Sequence, residues 1–401
     1  MTIRCMKLAI LLLLASLLSG CWSRRELNEL AIAAALGFDQ APRGYNISAQ
    51  IVNPGEIAKA SGSGRSPVIT FTTPGDTVLQ GLRRMTKESP RRIYGSHVRV
   101  LVLGEELARK GLGGVLDILA RDVEMRTDFY IVIARGGKAM DILETFTTLE
   151  KIPANKLFTS LEMSDKNWAA TGKVTLGELL DDITSKGKNP VLTGIEIKGD
   201  EALGKRKENM QRAKIPAELI YSDMAVLKSD KLVGWFNESE SKGYNYLKGT
   251  VHSTIINIPW PDGSRIGVEL LRTKRKIKVE WKDGKPVAHV KLTAEGEVGE
   301  VQSTADIRNP FVLREMREKT EADVRNRIRS AVRRAQTEFH SDVFGFGEAL
   351  HRSSPRKWKE VEDRWHDELF PKLDLEVQVE VTIKRMGNTN QSILRQMGGH
   401  S

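Results

Sequence analysis

Residues Val98–Ala134 read VRVLVLGEELARKGLGGVLDILARDVEMRTDFYIVIA, and this stretch decides the fold. Val98–Leu103 and Phe129–Ala134 are compact apolar runs of strand length. Between them, Glu105–Ala120 carries apolar residues at helical spacing and predicts one helix. Two apolar strands joined by a helix predict a parallel βαβ unit with a right-handed crossover. Upstream, Tyr45, Ile47, Ala49 and Ile51 recur at every second position after the turn Pro42-Arg43-Gly44, the pattern of a half-buried strand. Lys59–Pro67 (KASGSGRSP) is expected to be a flexible loop. Asp76–Glu88 is expected to be a helix with Val78, Leu79, Leu82 and Met85 on one face and Pro90 ending it. Downstream, helices are expected near Ala139–Phe146 and Leu176–Ile183, and Pro190 with the strand Leu192–Ile197 closes this half.

The second half has a different texture. Residues 199–214 (GDEALGKRKENMQRAK) are polar and charge-dense, and are expected to be a linker. Met224–Leu227 and Lys231–Trp235 flank Lys228-Ser229-Asp230 as a hairpin. Further strands are expected at Thr250–Ile258, Ile266–Leu271, Lys274–Trp281 and Ala288–Glu300. A long helix follows from Asn309 to His340, with Leu313, Met316, Thr320, Val324, Ile328, Val332, Ala335 and Phe339 as its inward stripe. Shorter helices are expected at Val343–His351 and Lys357–Leu369. The strict alternation from Leu373 to Ile383 predicts a last strand. The expected architecture is α+β and multi-domain, with mixed β-sheets flanked by helices and a long helix in the C-terminal half. Its parts are an N-terminal α/β domain over 21–198, the linker 199–214, a C-terminal α+β region over 215–386, and a disordered tail over 387–401.

Residues 1–20 read as an export signal. Arg4 and Lys7 precede the apolar run Leu8–Leu18, which is well short of the roughly 20 residues that a membrane-spanning helix needs. Leu18-Ser19-Gly20-Cys21 is a lipobox arrangement, in which cleavage after Gly20 leaves Cys21 as an acylated N-terminus. The plainer alternative is an ordinary secretory signal with an incidental cysteine. Two acyl chains would anchor the chain stably, since each buried methylene contributes about 0.8 kcal/mol. Cys5 leaves with the signal, so an acylated Cys21 leaves no thiol for a disulfide, a metal site or nucleophilic catalysis. The formal charge of +10 is accounted for by a solvated surface that happens to be basic, with anionic headgroups or wall polymers as the sharper reading. An export signal also removes nucleic acid as a partner.

Catalytic templates are missing. The sequence has no Gly-x-Ser-x-Gly elbow, no P-loop, no His-Glu-x-x-His and no Gly-x-Gly-x-x-Gly following a strand. Gly111-Leu112-Gly113-Gly114 falls just inside an expected helix, where a loose helix start explains it. His340, His351 and His366 are spaced too widely to place two imidazoles on neighbouring turns. His97, after the Pro90–Ser96 stretch, is the most suggestive histidine, yet a structural role at a strand edge explains it as well. The pairs Glu105-Glu106 and Asp181-Asp182 sit near helix ends, where acids serve the helix dipole or face water. Trp358 and Trp365 are read as core before a carbohydrate platform. The sequence gives no catalytic residue, metal site or cofactor.

Ordered segments along the chain carry a family resemblance. They are Leu18–Leu30 (LSGCWSRRELNEL), Gln50–Pro54, Glu88–Arg92, Leu149–Asn155, Pro190–Glu196, Lys231–Trp235, Ser341–Gly347 and Pro355–Trp358. Together they make the sequence similar to the spore-germination lipoproteins of the Ger(x)C family, the C subunits of nutrient-germinant receptors in endospore-forming bacteria. The resemblance implies a non-enzymatic subunit acylated at Cys21 and held on the outer face of the spore inner membrane. It implies two integral-membrane partners, an A subunit and a transporter-like B subunit that binds nutrient. It also implies a mixed α and β fold of about three domains. Candidate docking residues are Arg91, Arg92 and His97 in the Pro90–His97 turn, and Phe344 and Phe346 in the Ser341–Gly347 loop. For the two phenylalanines core filling is an equally good reading. Two other classes remain open: a lipid-anchored solute-binding protein that delivers nutrient to a membrane partner, and a tethered wall hydrolase, which the missing motifs disfavour.

Overall fold

The computed structural model describes residues 29–57 and 65–385. Gly20, Cys21, most of the Lys59–Pro67 loop and the tail from Gly387 lie outside the described residues.

One nine-stranded mixed sheet organises the first part. Its strands are β1 (Leu30–Gln40), β2 (Tyr45–Val52), β3 (Val68–Gly75), β4 (Arg92–Tyr94), β5 (Val100–Gly104), β6 (Tyr130–Ala134), β7 (Val191–Gly199), β8 (Ala217–Lys228) and β9 (Lys231–Phe236). The order is β3-β2-β1-β5-β6-β7-β8-β9, with β4 joined to β1. The centre β1-β5-β6-β7 is parallel, and antiparallel strands finish both edges. The parallel pairing of β5 with β6 is the one expected from Val98–Ala134.

Side chains of β5 and β6 alternate between two separate cores, as a pleated strand requires. Leu101, Leu103, Ile131 and Ile133 face one core, shared with Leu107, Val115, Leu116, Leu119, Leu176 and Leu179 from helices on that face. Val100, Val102, Val132 and Ala134 face the other, under Ile142, Leu143, Leu157 and Leu161 of the helices Ala139–Glu144 and Pro153–Asn167. The result is a helix–sheet–helix layering.

The second sheet runs β10 (Thr254–Pro259), β11 (Arg265–Lys282), β12 (Lys285–Val301) and β13 (Asp374–Arg385), antiparallel except for the parallel pair β12–β13. The 25-residue helix Pro310–Arg334 packs on it and continues through a π-helical turn, Ala335–Phe339. Its stripe is as the sequence predicts, with Met316, Thr320, Val324, Ile328, Val332 and Ala335 buried. Trp358 and Trp365 lie in this core edge to face, with ring centroids 5.6 Å apart.

Several boundaries differ from expectation. Glu105–Ala120 is two helices, Glu105–Lys110 and Gly113–Arg121. Gly111 between them has φ 134°, a conformation open mainly to glycine. The tip of the β8–β9 hairpin fills the break: the Leu112 and Gly113 N–H groups donate to the Asp230 carbonyl (3.0 Å) and carboxylate (2.9 Å). Ile266–Trp281 is one strand with an irregularity between Leu270 and Arg272. The stretch 199–214 carries short helical turns, Glu201–Gly204 and Lys207–Met210, and connects two neighbouring strands of one sheet. Asn209 closes it by bonding Phe146 and Ala217 with both ends of its amide. In the structure the stretch connects β7 to β8, and β8 and β9 belong to the first sheet.

Candidate functional site

The Pro90–His97 stretch lies beside the first described strand. β4 pairs in parallel with the start of β1, through Leu30 with Arg92, Ala31 with Ile93 and Ile32 with Tyr94. The Ser89 hydroxyl accepts from the Arg91 N–H (3.3 Å) and donates to the Arg91 carbonyl (2.7 Å), fixing the entry. The Arg92 guanidinium donates to both oxygens of Glu124 at 3.0 and 3.1 Å, so it is held in the protein. Arg91 and His97 are exposed. The His97 ring lies edge to face with Tyr94, 6.3 Å between centroids.

Beside β4 a cavity of about 330 Å³ opens between the helix Val78–Arg84 and residues 121–125. Leu79, Leu82, Ile93, Ile118 and Met125 line it, and Arg83, Arg92 and Arg121 stand at its edge. Val123 on its rim is 97% exposed, an apolar side chain with almost no cover. Leu30 is nine positions beyond Cys21, so that cysteine and this face are separated by no more than roughly 30 Å of extended chain.

The Ser341–Gly347 loop is a buried joint. Asp342 is fully buried, and its carboxylate accepts from the N–H groups of Phe344 (3.0 Å), Gly345 (3.0 Å) and Gly347 (2.8 Å) and from the Trp365 indole (2.9 Å). Burial raises its pKa to about 6 against those four hydrogen bonds. The Asp342 N–H donates to Nδ1 of His366 (3.1 Å), whose own pKa is lowered to about 4 by burial and then by Lys228. The loop also grips the first sheet. The Asn189 N–H donates to the Asp342 carbonyl (2.7 Å), and the Ser341 hydroxyl donates to the Leu227 carbonyl (2.7 Å). Gly347 is pressed against Gly187, where a Cβ would stand 2.7 Å from the Gly187 Cα.

Phe344 and Phe346 therefore do not offer a contact surface. They are 7% and 0% exposed, and their rings pack on one another (5.5 Å) and on Phe370 (6.5 and 6.4 Å). Of the five side chains proposed for docking, the structure leaves Arg91 and His97 outward, ties Arg92 to Glu124, and puts both phenylalanines in the core. Between them Gly345, with φ 76°, stands at the start of the helix Phe346–Ser353.

The carboxylate pairs are structural. Burial acts to raise Glu105, but hydrogen bonds from the Gly136 N–H, Arg109 and Trp235 outweigh it and hold this acid below its usual range. Asp182 pairs with Lys188 at 2.6 Å. Among the described residues no group of three or more His, Cys, Asp or Glu side chains could hold a metal ion. No helix among them is long and apolar enough to cross a membrane.

Comparisons with known proteins fit this architecture. The profile described as "Spore germination protein N-terminal domain" matches residues 23–197, and "Spore germination B3/GerAC like, C-terminal" matches residues 222–387. Spore germination protein KC of Bacillus subtilis (strain 168) is 30% identical over 401 residues, covering 98% of each chain. Spore germination protein A3 of the same organism is 26% identical, covering 92% of this chain and 95% of that one. The structure described as "Crystal Structure of the GerBC protein" superposes with a TM-score of 0.52 at 18% identity, covering 87% of this chain and 96% of that one, which shows the fold. On the two matched profiles and the full-length relative, this chain belongs to the Ger(x)C family of spore germination proteins.

Proposed function

We propose that this chain is the lipid-anchored, non-enzymatic C subunit of a spore nutrient-germinant receptor, acting with A and B integral-membrane subunits on the outer face of the spore inner membrane. The observation that carries the reading is the lipobox Leu18-Ser19-Gly20-Cys21 followed within nine residues by the first strand of a family fold. A diacylated Cys21 holds the folded part within a short tether of the bilayer, which raises its effective concentration at membrane partners without any added contact. The face around β4, with exposed Arg91, His97 and Val123, is the docking surface in this proposal. Scattered carboxylates already engaged in structural bonds support a role without catalysis.

The test is a strain lacking its own copy, complemented with wild type or with Cys21→Ala. Wild type restores the nutrient-triggered fall in spore optical density, and the variant does not, although its folded protein is detected. Full restoration by Cys21→Ala would contradict the proposal.

A further inference from the structure

A second cavity, of about 140 Å³, lies at the seam between the two sheets. Four cations line it: Lys188 ahead of β7, Lys248 at the end of the helix Glu238–Lys248, Arg275 on β11, and Arg352 on the helix Phe346–Ser353. Glu348 is the one carboxylate among the lining residues, and it lies 4.0 Å from Arg352. Lys188 is satisfied by Asp182 at 2.6 Å. Lys248 and Arg275 have no carboxylate within ion-pair distance among the described residues. The one hydrogen bond of the Arg275 guanidinium goes to the Lys248 carbonyl (3.2 Å). Tyr244 also lines the cavity. It is 2% exposed, and among the described residues its hydroxyl has no hydrogen-bond partner.

These groups share one chemistry. Ammonium and guanidinium groups and a phenolic O–H are donors, and they line one space, with exposed Arg275 and Arg352 on its open side and Glu348 as the single carboxylate beside them. Acids further off, Glu178, Asp182 and Asp165, temper the field at Lys248 without bonding it, and burial still holds its ammonium below the usual lysine range. Small volume, donors on several sides and excess positive charge fit a compact oxyanion and exclude a nutrient the size of a sugar.

We infer that this cavity binds a small oxyanion of the phosphate class, held by Lys248, Arg275 and the Tyr244 hydroxyl. The anion joins the helix Glu238–Lys248 to β11 and to the Ser341–Gly347 joint, and so stiffens the seam between the sheets. The inference does not depend on the receptor assignment. Phosphate can arrive free or as a lipid headgroup, and the test separates the two sources.

The experiment is calorimetric titration of the purified full-length chain in detergent, with inorganic phosphate in one arm and soluble dihexanoyl phosphatidate in the other, each against sodium chloride at matched ionic strength. Saturable binding of phosphate, weakened at least tenfold by Arg275→Gln and by Tyr244→Phe but not by the distant Lys291→Met, is the expected result. Tyr244→Phe removes only the hydroxyl, and circular dichroism confirms that it folds. Binding of phosphatidate alone, with the same variant pattern, assigns the site to a headgroup. The inference is overturned if neither ligand binds beyond the chloride control, or if both cavity variants bind as the parent does.

Discussion

At Asp342 a carboxylate that water does not reach is surrounded by donors: three backbone N–H groups and an indole. Its pKa stands at about 6, above the 3.8 of an unfolded chain. Between those values the native state keeps a proton that the unfolded state has released, so this residue's contribution to stability falls as pH rises through the window. His366 has the opposite sign. With its pKa lowered from 6.5 to about 4, the native state refuses a proton that the unfolded chain takes up, and stability is lost as pH falls through that window. Each shift corresponds to about 3 kcal/mol across its window, and the two slopes nearly offset one another. In urea denaturation followed from about pH 4 to about pH 7, Asp342→Asn is expected to gain stability with pH more steeply than wild type, and His366→Asn less steeply. Parallel profiles for the three proteins would contradict this account.

Among the elements, the long helix Pro310–Arg334 shows how periodicity becomes stability. Ile328 is fully buried under the second sheet while Arg329, the next residue, is exposed. Ile328→Ala is expected to cost about 2–5 kcal/mol by loss of apolar burial and the cavity left behind, and Arg329→Ala to stay within about 0.5 kcal/mol. Chemical denaturation of both variants checks this, and equal effects would mean that the helix is rotated. The same periodicity is why this helix, β2 and β13 were legible in the sequence, while β5 and β6 were legible as compact runs of β-branched and other large apolar residues. β1 was not, because its run of alanines (LAIAAALGFDQ) is buried on both faces and shows neither alternation nor β-branched bulk. The helix Glu238–Lys248 was hidden by its tyrosines and Gly243, although Asn237 and Glu240 form a capping box that the spacing announces. The helix Pro153–Asn167 carried a similar sign, proline at its first turn. The break at Gly111 could not be read locally, because a hairpin more than a hundred residues later creates it.

For the whole molecule, the two sheets are joined by hydrogen bonds from the Ser341–Gly347 joint to Asn189 and Leu227, and the polar stretch 199–214 lies inside the first sheet. Sequence composition suggested a linker there because charge density marks exposure, and the stretch is an exposed connection between two strands of that sheet. Of the candidate docking residues, those in the Pro90–His97 turn are placed beside the start of β1, the first described strand. Burial of Phe344 and Phe346 was a matter of tertiary packing, which a short aromatic motif does not specify. The account's central claim is that the chain works as an anchored subunit of a membrane receptor. Affinity purification from detergent-solubilised spore membranes tests it most directly, with wild type compared with Cys21→Ala. The account predicts that A and B integral-membrane subunits co-purify with wild type and fall away with the variant. Recovery of neither subunit with wild type would contradict it.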